Sequence, residues 1–377
     1  MKSILVSALV FDEGKSGVAE YTVSICEELS KQCKLEILIH PSDLQIFPVR
    51  NGNIKFRLIP ETLKRPLISM LWHLYVLPFL LKAGNYDVVL LPTGNRRLMS
   101  HYPANCVVTF HDLAQYYIPD KYDRLRMAYV KYIIPHYLRN APVVMAISEN
   151  TKNDLIKHYN LPLSKITVNY NGCNPERLRT ELSEQEFRGK YKIRKKYIYY
   201  NSRIEHPLKN HLHLIRAYEL LPDEIRNQFD LVFTGIEWHG SDIIHQYLEE
   251  SPVKDNVHFM GYHDYPEIGA FYRFAFLYVF PSLYEGFGIP MLEAMASSVP
   301  VICSNRSSLP EIGGDAILTF DPEMHADIAA KIIQVIDSED LRNRMIEKGL
   351  ARVRLFSWKR HVGIIMELGD IKNKTQH

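Results

Sequence analysis

The chain has 377 residues, of which 46% are hydrophobic and 23% charged, and its formal net charge at neutral pH is +2. The length predicts two domains, and the composition is typical of a globular protein and disfavours disorder and coiled coil. The charge is too near zero to favour a nucleic-acid binder, so nucleic acid is not expected as a partner.

The five cysteines show no metal-ligand spacing, and their odd number favours a reducing cytoplasm over a disulfide framework. The apolar residues 4–11 lack a signal-peptide cleavage site and predict a first strand. The longest apolar run, residues 67–81, contains polar residues and a proline and is shorter than the roughly 20 residues that span a bilayer. It predicts a buried or interfacial helix, and a cytoplasmic protein is expected.

Short apolar runs alternate with helical patterns through the first half of the chain. Apolar residues at helical spacing predict a helix over residues 18–29, and Ser148 is placed to cap another that runs to about Tyr159. Six apolar runs predict buried parallel strands: 4–10, 35–39, 88–91, 106–110, 143–147 and 166–170. This alternation is typical of a doubly wound α/β domain.

The alternation stops between residues 171 and 196. An Asn171-Gly172 turn is followed there by a charge run at 188–196, which together predict a domain boundary. We expect a first domain over residues 1–175, a second over 176–355, and a C-terminal helix over 356–377 that can cross back to the first.

The second half repeats the architecture without repeating the sequence. Helices are predicted at 210–221 and 290–297, and three helical stretches close the chain from about residues 326, 340 and 357. Six further strands are predicted, at 197–200, 231–234, 257–260, 277–280, 301–304 and 316–320. Two such α/β domains are expected to leave a cleft at the carboxyl ends of their strands.

The most specific motif is residues 281–295, which place a glycine-rich loop between a strand and a helix that begins with proline. Gly286 and Gly288 let the backbone approach a ligand closely. The amides at the start of the following helix suit a phosphate, and Glu285 and Glu293 can accept hydrogen bonds from sugar or ribose hydroxyls. The alternative is a strand–turn–helix whose glutamates are solvated or cap the helix.

This segment, continued to residue 310, resembles the donor site of family-4 retaining glycosyltransferases, whose mark is two glutamates separated by seven residues. The resemblance implies the GT-B fold, in which two Rossmann-like doubly wound domains face each other across a cleft. It also implies the donor contacts of this segment. Glu285 would contact the sugar hydroxyls, and the sugar would be held by Gly286, Phe287 and Gly288. The phosphate would be held by Met291 and Leu292, and the ribose by Glu293.

Arg203 and Lys209 flank a turn after the first strand of the second half and can converge on one anion. Two basic residues alone are more typical of a solvated surface. Their position, however, resembles the diphosphate-binding arginine and lysine of the family. Ser202 stands where the family usually has glycine, so the local turn departs from the pattern.

Two further candidates lie in the first half. Gly14 and Gly17 resemble the family's glycine-rich first loop near donor phosphate and acceptor, and Leu9 at the place of the first glycine excludes a phosphate-binding P-loop. His111 follows a predicted strand beside Asp112. A lone histidine is more typical of a structural role, but this one resembles the family's N-domain histidine that contacts the donor sugar.

The resemblance implies a hexosyltransferase that retains the donor's configuration and needs neither metal nor cofactor, with His111, Glu285, Arg203 and Lys209 as the catalytic set. The expected donor is a GDP- or UDP-sugar. GDP-mannose is favoured because the Gly-Ile-Pro-Met-Leu-Glu form is common among mannosyltransferases of bacterial surface polysaccharides. The expected acceptor is a saccharide or a lipid-linked saccharide.

Other functions remain open on this fold, since fold does not fix function. A nucleotide-sugar epimerase or a sugar phosphorylase could share it. An NAD-dependent dehydrogenase is disfavoured because strand one lacks the Gly-x-Gly-x-x-Gly spacing and His40 stands where an acidic ribose ligand is needed. A noncatalytic sugar-binding protein is disfavoured by the basic residues directed at an anionic donor.

One predicted helix region suits a membrane surface. Aromatic and apolar residues interleave there with five basic residues against the single acid Asp123: Lys121, Arg124, Arg126, Lys131 and Arg139. This pattern predicts peripheral docking on an anionic membrane, at its inner face. The alternative is a partly buried helix with a solvated basic side.

Overall fold

The structure is a computed structural model that describes residues 1–14, 16–82, 85–118 and 123–374. The chain divides into two compact units, one formed by Met1–Gly172 with Ser357–His377 and the other by Cys173–Phe356. The units divide after Gly172, whereas the boundary predicted from the sequence follows residue 175. Within the described residues, no helix has the length and apolar character needed to cross a bilayer.

The first unit is built on a parallel sheet with the strand order β3-β2-β1-β4-β5-β6-β7. Its strands are β1 Ser3–Ser7, β2 Lys34–Ile39, β3 Ile54–Leu58, β4 Val88–Leu91, β5 Cys106–Phe110, β6 Val143–Ala146 and β7 Ile166–Val168. Its first helices are α1 Gly17–Ser30, α2 Pro41–Ile46, α3 Pro66–Leu71, α4 Leu77–Lys82, α5 Arg124–Ala128, α6 Ile134–Leu138 and α7 Glu149–Tyr159.

Two details of this sheet differ from the sequence-based prediction. The first strand ends at Ser7 rather than at residue 10, because its pairing with β4 ends at Val6 and its pairing with β2 ends at Ser7. Strand β3 was not predicted. It lies at the sheet edge and most of its residues are exposed or half-buried, so it lacks the continuous apolar run of a buried strand.

Two helical segments of this unit contain a π-helical stretch. Trp72–Val76 joins α3 to α4, and Tyr129–Ile133 joins α5 to α6. The first segment covers the apolar run for which a buried or interfacial helix was predicted. One side of each segment packs into the same core cluster, while the opposite side is exposed.

The last helix, α17 Trp358–Lys374, returns to the first unit. The packing is close, because a Cβ added to Gly369 would lie 2.4 Å from the Val88 side chain and one added to Gly172 would lie 2.3 Å from the Trp358 amide nitrogen. Glycine is therefore required at both contacts for steric reasons.

The second unit has a parallel sheet with the order β10-β9-β8-β11-β12-β13. Its strands are β8 Lys196–Asn201, β9 Phe229–Thr234, β10 Val257–Phe259, β11 Leu277–Phe280, β12 Val301–Ser304 and β13 Ile317–Phe320, so all six predicted strands are confirmed. Its helices are α8 Glu184–Tyr191, α9 His211–Glu219, α10 Asp223–Arg226, α11 Ser241–Glu250, α12 Glu267–Arg273, α13 Ile289–Ala296, α14 Leu309–Gly313, α15 His325–Asp337 and α16 Glu339–Val353.

Helix α8 was missed because its sequence was interpreted only as a turn and a charge run. Its N-terminus carries a capping box, in which the Ser183 hydroxyl accepts from the Glu186 amide and the Glu186 carboxylate accepts from the Ser183 amide. A serine three residues before a glutamate is a sequence signal for a helix start.

The strand order reverses direction once in each sheet, between β1 and β4 in the first unit and between β8 and β11 in the second. Loops that leave the carboxyl ends of the two strands at such a reversal diverge, and the gap between them is where doubly wound domains bind ligands. The predicted site residues of the second unit follow β8 and β11.

Buried histidines should make the protein less stable in acid. Burial lowers the pKa of His361 from its usual 6.5 to about 4. The unfolded chain therefore binds more protons than the folded chain between these values, and the stabilisation present above pH 6.5 is lost as the pH falls toward 4. In urea unfolding at several pH values, His361→Gln should flatten this dependence. His136→Gln, at an exposed position of α6, should keep the wild-type profile. An unchanged profile in His361→Gln would contradict the assignment.

Candidate functional site

The loops that follow β8 and β11 lie side by side. The Leu283 amide donates to the Leu208 carbonyl at 3.0 Å. The Asn210 side-chain amide donates to the Pro281 carbonyl at 3.0 Å and to the Pro322 carbonyl at 2.7 Å. Asn210 is buried and in the left-handed conformation at the start of α9, so it fixes both the helix entry and the neighbouring loop.

An ion pair joins these two loops. The Lys209 ammonium lies 2.6 Å from the Glu285 carboxylate, and the two side chains are only 14% and 15% exposed. Below the pair, the Tyr200 hydroxyl donates to the Lys209 carbonyl at 3.0 Å and lies 3.0 Å from the Ser282 hydroxyl. Burial and then the charge of Glu285 raise the pKa of Tyr200, so it remains a neutral hydroxyl at the base of the site.

Hydrogen bonds with two serine hydroxyls fix the shape of the glycine-rich loop. The Ser308 hydroxyl lies 2.9 Å from the Glu285 carbonyl and 3.0 Å from the Phe287 carbonyl, and the Ser307 hydroxyl accepts from the Glu285 amide at 2.9 Å. Gly288 has a φ of +106°, and a Cβ there would lie 2.8 Å from a methyl group of Leu309. This position therefore requires glycine for both backbone conformation and space.

Helix α13 begins directly after Gly288. Met291 and Leu292 are buried in its first turn, and the Met291 amide donates back to the Gly288 carbonyl at 3.1 Å. The positive end of the helix dipole lies at this turn, beside the glycine-rich loop. Gly286 and Phe287 precede it, with Gly286 half-buried and Phe287 buried.

Glu293 lies one turn further along α13 and is 6% exposed. Its carboxylate accepts hydrogen bonds from the hydroxyls of Tyr265 and Tyr272, the latter at 2.9 Å. Burial and the charge of Glu293 raise the pKa of Tyr272. The carboxylate is thus buried with two phenol donors, a set that two other hydroxyls could replace.

Arg203 lies in the turn after β8 with its guanidinium 2.9 Å from the Glu205 carboxylate and 5.0 Å from the centre of the Trp238 ring. The carboxylate and the aromatic face hold the guanidinium on two sides. The turn itself is tight although Ser202 replaces glycine, because Gly235 supplies the space. A Cβ at Gly235 would lie 1.7 Å from the Ser202 carbonyl oxygen.

The glycines of the first unit lie around the start of α1. Gly14 has a φ of +78°, which favours glycine, and Gly17 opens the helix with no atom of the described residues within 4 Å of an added Cβ. Ser16 caps the helix by accepting from the Ala19 amide at 3.2 Å. Lys15, between them in the predicted loop, lies outside the described residues. The helix start is therefore accessible from outside.

His111 follows β5 and is 7% exposed. Its Nε2 lies 2.6 Å from the Pro92 carbonyl oxygen, which can only accept, so Nε2 carries the proton. Burial lowers the pKa of His111 and favours the neutral ring. The remaining nitrogen, Nδ1, then presents a lone pair. Asp112 accepts from the Ala114 amide at 3.1 Å and so stabilises the following turn.

A buried chain of hydrogen bonds lies against His111. The Tyr21 ring meets it edge-on with centroids 4.8 Å apart, and the Tyr21 hydroxyl lies 3.0 Å from the Thr109 hydroxyl and 2.9 Å from His361 Nε2. His361 Nδ1 donates to the Tyr170 carbonyl at 2.9 Å. The C-terminal helix therefore fixes the ring that packs against His111.

The comparisons with known proteins concern the family of the chain. Residues 183–352 match the family model described as glycosyl transferases group 1, and residues 15–177 match glycosyltransferase family 4. The chain is similar to the O-antigen chain mannosyltransferase B of Escherichia coli, at 32% identity over 71% of this chain and 70% of the relative. The chain belongs to glycosyltransferase family 4. The resemblance predicted from the motif is therefore confirmed.

A further relative and two solved structures are also similar to this transferase. The O-antigen chain mannosyltransferase RfbU of Salmonella typhimurium is 26% identical over 69% of this chain and 68% of the relative. The sucrose-phosphate synthase of Thermosynechococcus elongatus matches with a TM-score of 0.77 at 17% identity, covering 100% and 99% of the two chains. Anabaena HepE in complex with UDP-glucose matches with a TM-score of 0.70 at 16% identity, over 100% and 99%. The transferase has the GT-B fold, as predicted.

Several residues that shape the site were not predicted as site residues. The tyrosine partners of Glu293 lie 21 and 28 positions away, and no spacing in the sequence connects them. Asn210 follows Lys209 directly, but its role depends on a loop 71 positions later. Ser308 had a signal, since it lies within the segment up to residue 310 that resembles the donor site, although that resemblance did not indicate its hydrogen bonds.

Replacing Gly288 by alanine should destabilise the transferase by about 1–3 kcal/mol, because the added Cβ meets both a positive φ and the Leu309 methyl group. Urea unfolding measures the change. Gly363→Ala is the matched control, since it lies inside α17 with nothing within 4 Å of the new Cβ. The control should be neutral or gain up to about 1 kcal/mol. Equal effects in the two variants would contradict the steric argument.

Proposed function

We propose that this transferase moves mannose from GDP-mannose to a saccharide or lipid-linked acceptor, retains the configuration of the donor, and works without a divalent metal. The observation that carries the proposal is the Lys209–Glu285 pair. The two charged groups lie 2.6 Å apart at the strand-order reversal of the second unit, and in the proposal Lys209 is the cation for the leaving diphosphate and Glu285 the carboxylate for sugar hydroxyls.

The choice of donor rests on the relatives and on the motif. Two O-antigen mannosyltransferases match about 70% of the chain, and Anabaena HepE, which shares the fold, has been solved with UDP-glucose. These proteins support a nucleotide sugar as donor and mannose as the sugar. The polysaccharide named for the relatives supports a role in bacterial surface polysaccharide synthesis.

The leaving group is the part of the reaction that most needs the protein. A glycosyl donor breaks through an oxocarbenium-like transition state, in which negative charge develops on the departing diphosphate. In the proposal, Arg203 and Lys209 stabilise that charge together with the start of α13 around Met291 and Leu292. Fixed cations and amides would then do the work that a metal ion does elsewhere.

The donor is held at its sugar and its ribose. Glu285 would accept from sugar hydroxyls, with the amides of Gly286, Phe287 and Gly288 nearby, and Glu293 would exchange its tyrosine donors for the ribose hydroxyls. His111 would contact the sugar through Nδ1. Since Nε2–H is committed to the Pro92 carbonyl, the free nitrogen can only accept, so it suits a sugar hydroxyl as donor.

In the proposal, Gly14 and Gly17 of the first unit lie near the donor phosphate and the acceptor. The backbone at Gly17 leaves room for a ligand, because no atom of the described residues lies within 4 Å of a Cβ placed there. Retention follows in the proposal from attack of the acceptor hydroxyl on the face that the diphosphate leaves, with its proton passing to a phosphate oxygen. A lipid-linked acceptor would be met at the surface of an anionic membrane.

The donor and the stereochemistry are tested together. The purified enzyme is given GDP-mannose, UDP-glucose or UDP-galactose with a mannose-containing oligosaccharide acceptor. We expect nucleotide release only with GDP-mannose and acceptor, an α-linked product by NMR, and activity that persists in excess chelator. A β-linked product would contradict retention. Activity lost in chelator and restored by magnesium or manganese would contradict metal independence, and release without acceptor would contradict transfer.

Kinetics of single and double variants test the ion pair. Lys209→Met should lower kcat and lose about 2–4 kcal/mol of transition-state stabilisation, as when one oxyanion donor is removed. Glu285→Gln should also lower kcat. Each change leaves the other charge unpaired, so the double variant should be less impaired than the sum by about 0.5–3 kcal/mol. Glu293→Gln should mainly raise the donor KM, because the ribose contact is the same in ground and transition states.

The exposed pair Lys190–Glu267 in the same unit is the matched control. Lys190→Met and Glu267→Gln, alone or together, should leave both constants near wild type, since exposed pairs contribute about 0–1 kcal/mol. Strict additivity at Lys209 and Glu285, or unchanged kcat in both single variants, would remove the basis of the proposal.

A further inference from the structure

Large apolar side chains are exposed along one side of the segment Pro66–Lys82. Leu67, Leu71, Tyr75 and Phe79 are spaced four residues apart and are 71%, 51%, 50% and 69% exposed. Residues at this spacing lie on one helix face. The opposite face packs into the core of the first unit through residues such as Leu74, Leu77 and Leu81. The exposed stripe is therefore additional to what the core requires.

A second stripe lies on the segment that runs from Arg124 to Leu138. Leu125 and Tyr132, seven positions apart and so on one face, are 85% and 71% exposed, and Ile133 beside them is 41% exposed. Its inner face contributes Val130 and Ile134 to the same core cluster as the first segment.

The two stripes belong to one surface. The Tyr75 hydroxyl lies 3.2 Å from the Tyr137 hydroxyl at an exposed position. Tyr75 is in the middle of the first stripe, and Tyr137 is one helical turn beyond Ile133 of the second. We call the exposed residues of both stripes the two-helix surface. Exposed apolar patches of this kind mark interaction sites in soluble proteins.

The charged residues along the two segments are basic, apart from Asp123, which caps the start of α5. Arg124 and Lys131 are exposed and lie one position before Leu125 and Tyr132, so they flank the second stripe. From residue 124 to residue 148 the sequence contains no acid, and residues 62–86 around the first stripe contain none either. Arg65 stands at the start of the first segment, and Lys64 beside it pairs with Asp43 at 2.9 Å.

We propose that the two-helix surface docks on an anionic lipid bilayer, with the first stripe entering the headgroup region and the basic residues of the second contacting lipid phosphates. Apolar and tyrosine side chains beside lysine and arginine suit this boundary, where one end of a side chain is apolar and the other wet. Docking on a bilayer extends the proposed function and rests on it, because a lipid-linked acceptor is presented at such a surface. The sequence predicted docking only for the helix region 121–139, of which residues 121 and 122 lie outside the described residues, and it left residues 67–81 as a buried or interfacial helix. The structure adds the first stripe.

Co-sedimentation of the full-length enzyme with vesicles tests the docking, without donor or acceptor. Phosphatidylglycerol–phosphatidylcholine vesicles are compared with pure phosphatidylcholine at low and high salt. We expect binding to the anionic vesicles, weakened by salt. Arg124→Gln with Lys131→Gln should weaken it about thirty-fold, since each basic residue at an anionic surface contributes about fivefold. Leu67→Gln with Leu71→Gln should weaken it about tenfold or more, including at high salt, through lost apolar burial.

Matched controls come from helix α16 and its end in the second unit. Arg344→Gln with Arg354→Gln removes two exposed charges, and Leu350→Gln with Leu355→Gln removes two exposed leucines. Both control pairs should bind vesicles as the wild type does. All substitutions are at exposed positions, and an unchanged thermal midpoint establishes that each variant is folded.

Three results would overturn the docking proposal. The enzyme could stay in the supernatant with anionic vesicles at low salt. Both two-helix variants could bind as the wild type does. The apolar pair could instead convert a dimer into a monomer in sedimentation velocity, which would make a second copy the occupant. Transfer to a soluble oligosaccharide acceptor is measured in parallel, because it depends on the proposed function and not on the vesicles, so the failure of either proposal is recognised separately.

Discussion

The Lys209–Glu285 ion pair is the interaction on which the candidate site of the second unit is built. Its partners are 76 positions apart and meet only because β8 and β11 are neighbours in a parallel sheet, so that both loops leave the same edge. A pair buried to this degree is stable only when the surrounding polar groups are satisfied. Asn210 and the hydroxyl groups of Ser282 and Ser308 supply these contacts to the two loops.

The tyrosines of the second sheet link the core to the site. Tyr200 and Tyr272 are buried in the aromatic core, yet their hydroxyls reach Lys209 and Glu293 at the edge of the sheet. A phenol can do this because its ring contributes apolar packing while its hydroxyl bonds a polar group. The core therefore contacts candidate site residues directly, at the Lys209 backbone and the Glu293 carboxylate.

In the first unit, the candidate site residue is positioned differently. Its candidate, His111, is fixed by the Pro92 carbonyl on one side and by the Tyr21 ring on another, and Tyr21 is in turn held by His361 from the last helix. The last helix thus adds His361 to the hydrogen-bonded core of the first 172 residues. The exposed two-helix surface of this unit shows the opposite arrangement, with apolar groups left outside the core.

The sequence by itself determined the α/β class, the twelve predicted strands and the family, because each of these depends on a local pattern. A buried parallel strand is a continuous apolar run, and the donor motif is complete within 15 residues, 281–295. Local patterns failed where burial was incomplete, as at the edge strand β3, or where the cap rather than apolar periodicity marked the element, as at α8.

Only the tertiary structure decided which side chains meet. The partners of Glu293, the hold of Asn210 on the glycine-rich loop and the contact of His361 with Tyr21 join residues 21 to 340 positions apart. Periodicity in a sequence reports which face of an element is buried, but strand order and register decide what that face touches. The same holds for the segment Pro66–Lys82, whose composition allowed a buried or an interfacial helix and whose packing left one face exposed.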